Sequence, residues 1–128
     1  MKMSDSDRKK ILEAGKFLEE LGYEVEIGEY SVIYNNGIIR FDADFERYEN
    51  VCDLDIKFVE QNKHFIIGWI WVVRNGNQYI TTGECADKII MLMEYLKNNY
   101  EKVTDIEWCE ESREMINTFF ERKKTNET

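Results

Sequence analysis

The sequence predicts an α+β fold: an antiparallel meander sheet of about five strands, with one N-terminal helix and two C-terminal helices packed on its apolar face. Three observations lead there. Apolar residues recur at helical spacing near both ends, and between those stretches they alternate with polar residues at period two. Turn signals, Asn36-Gly37 foremost, separate the alternating runs.

The first helix is expected from Ser4 or Ser6, either of which offers an N-cap, with Asp5 and Asp7 suited to the helix start. Ile11, Leu12, Gly15, Leu18 and Leu21 form its apolar stripe, and Gly22 is a natural stop. Two alternating segments follow, Tyr23 to Ile27 and Tyr30 to Tyr34, with a turn at Gly28-Glu29. An Asn36-Gly37 hairpin tip sets Val32 opposite Phe41 and Ser31 opposite Asp42.

The next strands are GIIRFDADF (37–45) and VCDLDIKFV (51–59). Gln61-Asn62 then turns into HFIIGWIWVVR, apolar on both faces and therefore expected as a covered strand. Pairing Glu60 with Lys63 sets Phe65, Ile67, Trp69 and Trp71 beside Phe58, Ile56, Leu54 and Cys52, which puts both tryptophans in the core. Arg74-Asn75-Gly76-Asn77 reads as a turn, and Tyr79-Ile80 as a short return strand. Thr81 to Glu84 is a capping box that opens a helix with an apolar stripe of Ile89, Leu92, Met93, Leu96 and Tyr100. A last helix, starting near Thr104 or after Trp108, is expected to bury Met115, Ile116, Phe119 and Phe120.

With 128 residues, 43% of them hydrophobic, the chain has the size and composition of one domain, 1–128, frayed at about 1–4 and 124–128. No apolar run is long enough for a membrane span and MKMSDSDRKK lacks a signal-peptide core, so a cytoplasmic protein is expected. Cys52, Cys85 and Cys109, odd in number and widely spaced, read as reduced thiols. No cofactor or metal site is expected: a Cys₃His zinc site with His64 lacks any closely spaced ligand pair.

The net charge of −9 is concentrated. Residues 42–60 carry seven acids against Arg47 and Lys57, and residues 105–114 carry five against Arg113. Such a field repels nucleic acid and acidic membranes and steers a basic protein inward. Its sharpest element is four aspartates. Asp42 and Asp44 alternate on one strand, Asp53 and Asp55 on the next, so a hairpin gathers all four on one face. Like charges opposed across a ladder oppose folding, which points to a role outside the fold. The loop Phe45-Glu46-Arg47-Tyr48-Glu49-Asn50 extends this face with an arginine and a tyrosine, residue types that anchor interfaces.

Phosphate-binding loops, nucleophile elbows and zinc-protease motifs are absent. One catalytic pattern is present. Asp55-Ile56-Lys57, preceded by Asp42 or Asp44, looks like the D…(D/E)-x-K core of restriction-type metal-dependent nucleases, with Asp44, Asp55 and Lys57 as the site.

The Y-N-N-G hairpin, the run IRFDADFERYENVCDLDIKF and the F-I-I-G-W-I strand, in a small acidic α+β chain, resemble immunity proteins of bacterial polymorphic and contact-dependent growth inhibition toxin systems. The resemblance implies a non-enzymatic cytosolic protein, monomeric in its complex, that blocks a cognate toxin domain with a basic, nuclease-like surface, without direct contact to nucleic acid or membrane. It nominates Asp42, Asp44, Glu46, Arg47, Tyr48, Glu49, Asp53 and Asp55 as partner-binding, with a second epitope around Glu107, Glu110 and Glu111. A phage inhibitor that mimics DNA is a close variant. The residue pattern also leaves open the metal-dependent nuclease, and a structural domain whose charges keep it soluble.

Overall fold

Five strands lie in chain order across one antiparallel sheet in this computed structural model, as the meander reading expects. The structure describes residues 3–45, 52–76, 78 and 85–127, the last without the side chains of 124–127. The strands are β1 (Glu24–Ile27), β2 (Ser31–Asn35), β3 (Ile39–Phe45), β4 (Cys52–Phe58) and β5 (Lys63–Ile66). Two helices precede them, α1 (Asp5–Ala14) and α2 (Lys16–Glu20). Among the described residues four follow: α3 (Ile67–Asn75), α4 (Cys85–Asn98), α5 (Tyr100–Val103) and α6 (Ile106–Glu127). The expected return strand at Tyr79-Ile80 and the Thr81–Glu84 box lie outside the described residues.

The core is the apolar face of the sheet closed by helices. Val32, Tyr34, Phe41, Ala43, Leu54, Ile56 and Phe65 alternate inward along β2 to β5. Against them pack Ile11 of α1, Leu18 of α2, and Ile89, Leu92, Met93 and Leu96 of α4. Ser4 caps α1, its hydroxyl accepting from the Asp7 amide at 3.1 Å. The single N-terminal helix expected from the pattern is broken at Gly15, where the Tyr34 ring leaves no room for a side chain.

Both hairpin registers differ from the expected ones by two residues, which leaves every side chain on its expected face. In the first, the turn centres on Gly37-Ile38, one residue on, and Tyr34 rather than Val32 opposes Phe41. The asparagines move it. Asn35 Oδ1 accepts from the Gly37 amide, and Asn36 Oδ1 from those of Ile38 and Ile39, with Gly37 at φ +87°. In the second, residues 59–62 form a four-residue turn with Asn62 at φ +51°, and Phe58 opposes Lys63.

The largest departure is the segment expected as a long covered strand. It pairs only over Lys63–Ile66 and then becomes α3. A run apolar on every side has no period that separates a buried strand from a buried helix. Ile67, Gly68, Ile70 and Val72 are buried at helical spacing, and Gly76 at φ +66° ends the helix, its amide bonded to the Val72 carbonyl. The turn signal at 74–77 thus includes a helix stop. Trp69 and Trp71 are part-buried, and neither stands in a strand beside Leu54 and Cys52.

The buried side of α6 differs from the expected one. Met115, Phe119 and Phe120 are 38–40% exposed rather than buried. The helix turns Cys109, Ser112 and Ile116 inward instead, packing on α3. Arg74 of α3 fixes that rotation: its Nε donates to Ser112 Oγ at 2.9 Å, and the guanidinium lies over the Trp108 ring at 4.5 Å. Among the described residues no helix is long and apolar enough to cross a membrane.

Candidate functional site

The polar face of the sheet is ordered into rows by the register. Glu24, Asn35, Arg40, Lys57 and His64 oppose one another across β1 to β5. The next row is Glu26, Ile33, Asp42, Asp55 and Ile66. The third is Ser31, Asp44 and Asp53. The four aspartates expected to meet therefore do meet, as the cross-strand pairs Asp42–Asp55 and Asp44–Asp53.

Their environments differ. Asp42 is neutralised within its own strand, accepting two hydrogen bonds from Arg40, from Nε at 2.7 Å and from a terminal nitrogen at 3.0 Å. Asp53 is buried, 8% exposed, rather than part of an open surface. Its Oδ1 accepts from the amides of Gly68 at 2.9 Å and Leu54 at 2.8 Å, and Lys88 Nζ lies 3.5 Å from Oδ2. Here β4 extends past the end of β5, and the start of α3 occupies the place a fifth-strand residue would take. Gly68 is the second residue of α3, so the Asp53 carboxylate serves as a helix-start acceptor from a distant strand.

Asp55 has no such partner. Its Oδ1 is buried and, among the described residues, no donor reaches it. Burial above all, then the charges of Asp53, Asp44 and Asp42, pushes this carboxyl up from 3.8 to about 8, against the opposing pull of Lys88. Beside it opens a cavity of about 210 Å³ lined by Arg40, Asp42, Asp55, Lys57, Asn62 and His64. Asp44 is half-buried between Ser31 and Asp53.

Glu46, Arg47, Tyr48 and Glu49 lie outside the described residues, between the end of β3 and the start of β4. The second acidic epitope is partly compensated. Glu110 pairs with Lys63 and Glu111 lies 3.4 Å from Arg74, while Glu107 is exposed. For the nuclease pattern, the register sets Asp42, not Asp44, opposite Asp55, with Lys57 on the same face. Among the described residues no group of three or more His, Cys, Asp or Glu side chains is arranged to hold a metal ion.

No family model, curated protein or solved structure matches this chain.

Five residues of this region were not among those nominated from the sequence: Gly68 and Lys88, which fix Asp53, and Arg40, Asn62 and His64, which line the cavity. Lys88 carried a signal. It stands four residues before Leu92 in the buried stripe of α4, where a lysine needs a counter-charge.

Proposed function

We propose that this chain is a non-enzymatic binding protein of the immunity or antitoxin type, which neutralises a cognate toxin domain in the cytoplasm through the polar face of its sheet. The observation that carries this reading is the buried oxygen of Asp55, between Asp42 and the end of β5, which no donor reaches among the described residues. A buried carboxyl oxygen without a donor costs a fold stability, and the pull of Lys88 offsets only part of that cost. A lysine or arginine from a basic partner supplies the missing donor and charge, while Glu24, Glu26 and Asp44 widen the acidic surround. Arg47 and Tyr48, which follow β3 in the sequence, complete the residues nominated for the interface. Asp53, held by Gly68 and Lys88, supports the face from beneath and does not anchor the partner.

The experiment is co-purification with basic toxin domains, followed by affinity measurement on variants. Asp55→Ala and Asp42→Ala are expected to weaken the complex, mainly through faster dissociation, by about 2 kcal/mol or more where the charge is desolvated. A complex indifferent to Asp42, Asp44 and Asp55 replaced together removes this face from the proposal.

A second reading has one observation in its favour: Asp42, Asp55, Lys57 and His64 share a cavity, as a D…D-x-K nuclease site requires of its acids and lysine. It requires Mg²⁺- or Mn²⁺-dependent DNA cleavage that Lys57→Ala abolishes, and no metal-dependent cleavage ends it.

A further inference from the structure

The corrected rotation of α6 leaves an apolar face uncovered by any described residue. Met115, Phe119 and Phe120 are each more than a third exposed, and the rings of Phe119 and Phe120 gather around Trp69 at centroid distances of 6.1 and 4.8 Å. Beside them, between α3 and α6, runs a groove of about 550 Å³. Val72 and Val73 line one side, Met115, Thr118 and Phe119 the other, and Glu114 and Arg122 are its first and last contributors from α6. Contiguous exposed aromatic and aliphatic surface of this kind marks an interaction site.

We propose that the occupant is a second copy of this chain, with the two α6 helices antiparallel about a two-fold axis at Thr118. The argument is self-complementarity, which a two-fold interface demands. Charge on α6 is biased along its length: Glu107, Glu110, Glu111 and Glu114 against Arg113 make its first half acidic, and Arg122, Lys123 and Lys124 outnumber Glu121 and Glu127 toward its end. An antiparallel pair sets the acidic half of one helix against the basic end of the other, whereas a parallel pair sets like against like. Glu114 and Arg122 each stand four residues from Thr118, about 6 Å along the axis. The two-fold therefore brings Glu114 of each copy to Arg122 of the other, two ion pairs flanking the apolar groove. Neither residue is in an ion pair among the described residues. The overall charge of −9 opposes self-association at a distance, so local complementarity has to overcome it. The inference stands apart from the proposed function, since it rests on α3 and α6 rather than on the sheet.

Sedimentation equilibrium on the full chain tests it. A concentration-dependent species of twice the 15.4 kDa chain mass is expected. Glu114→Arg and Arg122→Glu should each weaken the dimer about tenfold or more, as the loss of close interfacial ion pairs does. The double exchange should restore it to near the original strength. Phe119→Ser should abolish it, with circular dichroism showing the fold retained. A chain that stays monomeric at several hundred micromolar overturns the proposal. So does a dimer that the charge exchange does not rescue, or a groove whose Phe119→Ser variant loses a heterologous partner while self-association is unchanged.

Discussion

Asp53 and Gly68, fifteen residues apart in sequence, meet where β4 outruns β5: Oδ1 accepts from the Gly68 amide at 2.9 Å, and a Cβ on Gly68 would stand 2.5–2.6 Å from the two carboxylate oxygens. The same carboxylate faces Lys88, and both side chains are almost fully buried. Gly68→Ala must therefore push Asp53 away from the start of α3 and from its counter-ion. The expected loss is about 3 kcal/mol, the lower end of breaking a buried pair, measured by urea unfolding. Lys88→Met is expected to cost a similar amount, and Lys88→Met with Asp53→Asn less than the sum of the two singles. Strict additivity would mean that lysine and aspartate act independently.

Asp55 couples stability to pH in the sense opposite to an ordinary acid. Its carboxyl is raised from 3.8 to about 8 in the folded chain, so the folded state holds a proton that the unfolded state releases. Its contribution is complete below pH 4 and is lost as pH rises to about 8. Asp55→Asn, isosteric with the protonated form, should melt with the parent below pH 4 and increasingly above it as pH rises to 8, the parent losing about 1.4 kcal/mol per pH unit between the two values. Parallel melting curves for the two proteins across that range would show that Asp55 carries no such coupling.

The sheet was legible in the sequence because period-two alternation survives a register error of two, so the aspartates met although both turns were misplaced. Asn35, Asn36 and Asn62 decided the turns through side-chain acceptors and a left-handed backbone, which a dipeptide signal does not resolve. The run from Ile66 to Val73 was illegible for a different reason. Its apolar residues suit either period, and what selects the helix includes a carboxylate on β4 that no local pattern contains. The same distance effect hid the division of labour among the aspartates. Alternation gives Asp53 and Asp55 equal standing, and only the ends of β5 and α4 make one a buried structural acid and the other a donorless one.

Gly15 is fixed by Tyr34 rather than by a turn. A Cβ there would lie 2.2 Å from the tyrosine oxygen and 2.5 Å from the ring carbon that bears it. Gly15→Ala should cost about 1–3 kcal/mol through overpacking. The Tyr34 hydroxyl is itself buried and finds no hydrogen-bond partner among the described residues, so Tyr34→Phe is expected to be neutral or mildly stabilising. Because the oxygen is the nearest of the atoms that Cβ meets, Gly15→Ala should be somewhat less harmful in the Tyr34→Phe background, by up to about 1 kcal/mol in a double-mutant cycle, with the ring carbon still in the way. A coupling of zero would place the strain elsewhere.

The three thiols should separate by reactivity. Burial pushes Cys52 and Cys109 up to about 12, and both side chains lie in the core, Cys109 donating to the Val103 carbonyl at 3.1 Å. Cys85, at the start of α4, is partly exposed. A thiol reagent applied to the folded protein at pH 8 should modify one cysteine quickly, with the other two reacting at the rate of opening. Cys85→Ser should remove the fast phase. Loss of the fast phase on Cys52→Ser instead would contradict the burial order.

Partner binding should carry the Asp55 proton. If a partner lysine or arginine enters beside Asp55, the carboxyl must ionise, and at pH 7 a group of pKa near 8 is about nine-tenths protonated. Complex formation then releases close to one proton, and the apparent affinity falls about tenfold for each pH unit below 8, because only the ionised fraction is competent. Arg40, Asp42, Lys57, Asn62 and His64 line the same cavity, so His64→Gln separates any histidine contribution from that of Asp55. Calorimetry in buffers of different ionisation enthalpy counts the proton directly. Asp55→Asn should abolish both the release and the pH slope between 6 and 8 while leaving weaker binding through Asp42, Asp44 and the 46–50 segment. A parent complex that releases no proton at pH 7 would mean that the cation pairs elsewhere on the acidic face and that Asp55 stays protonated beneath it.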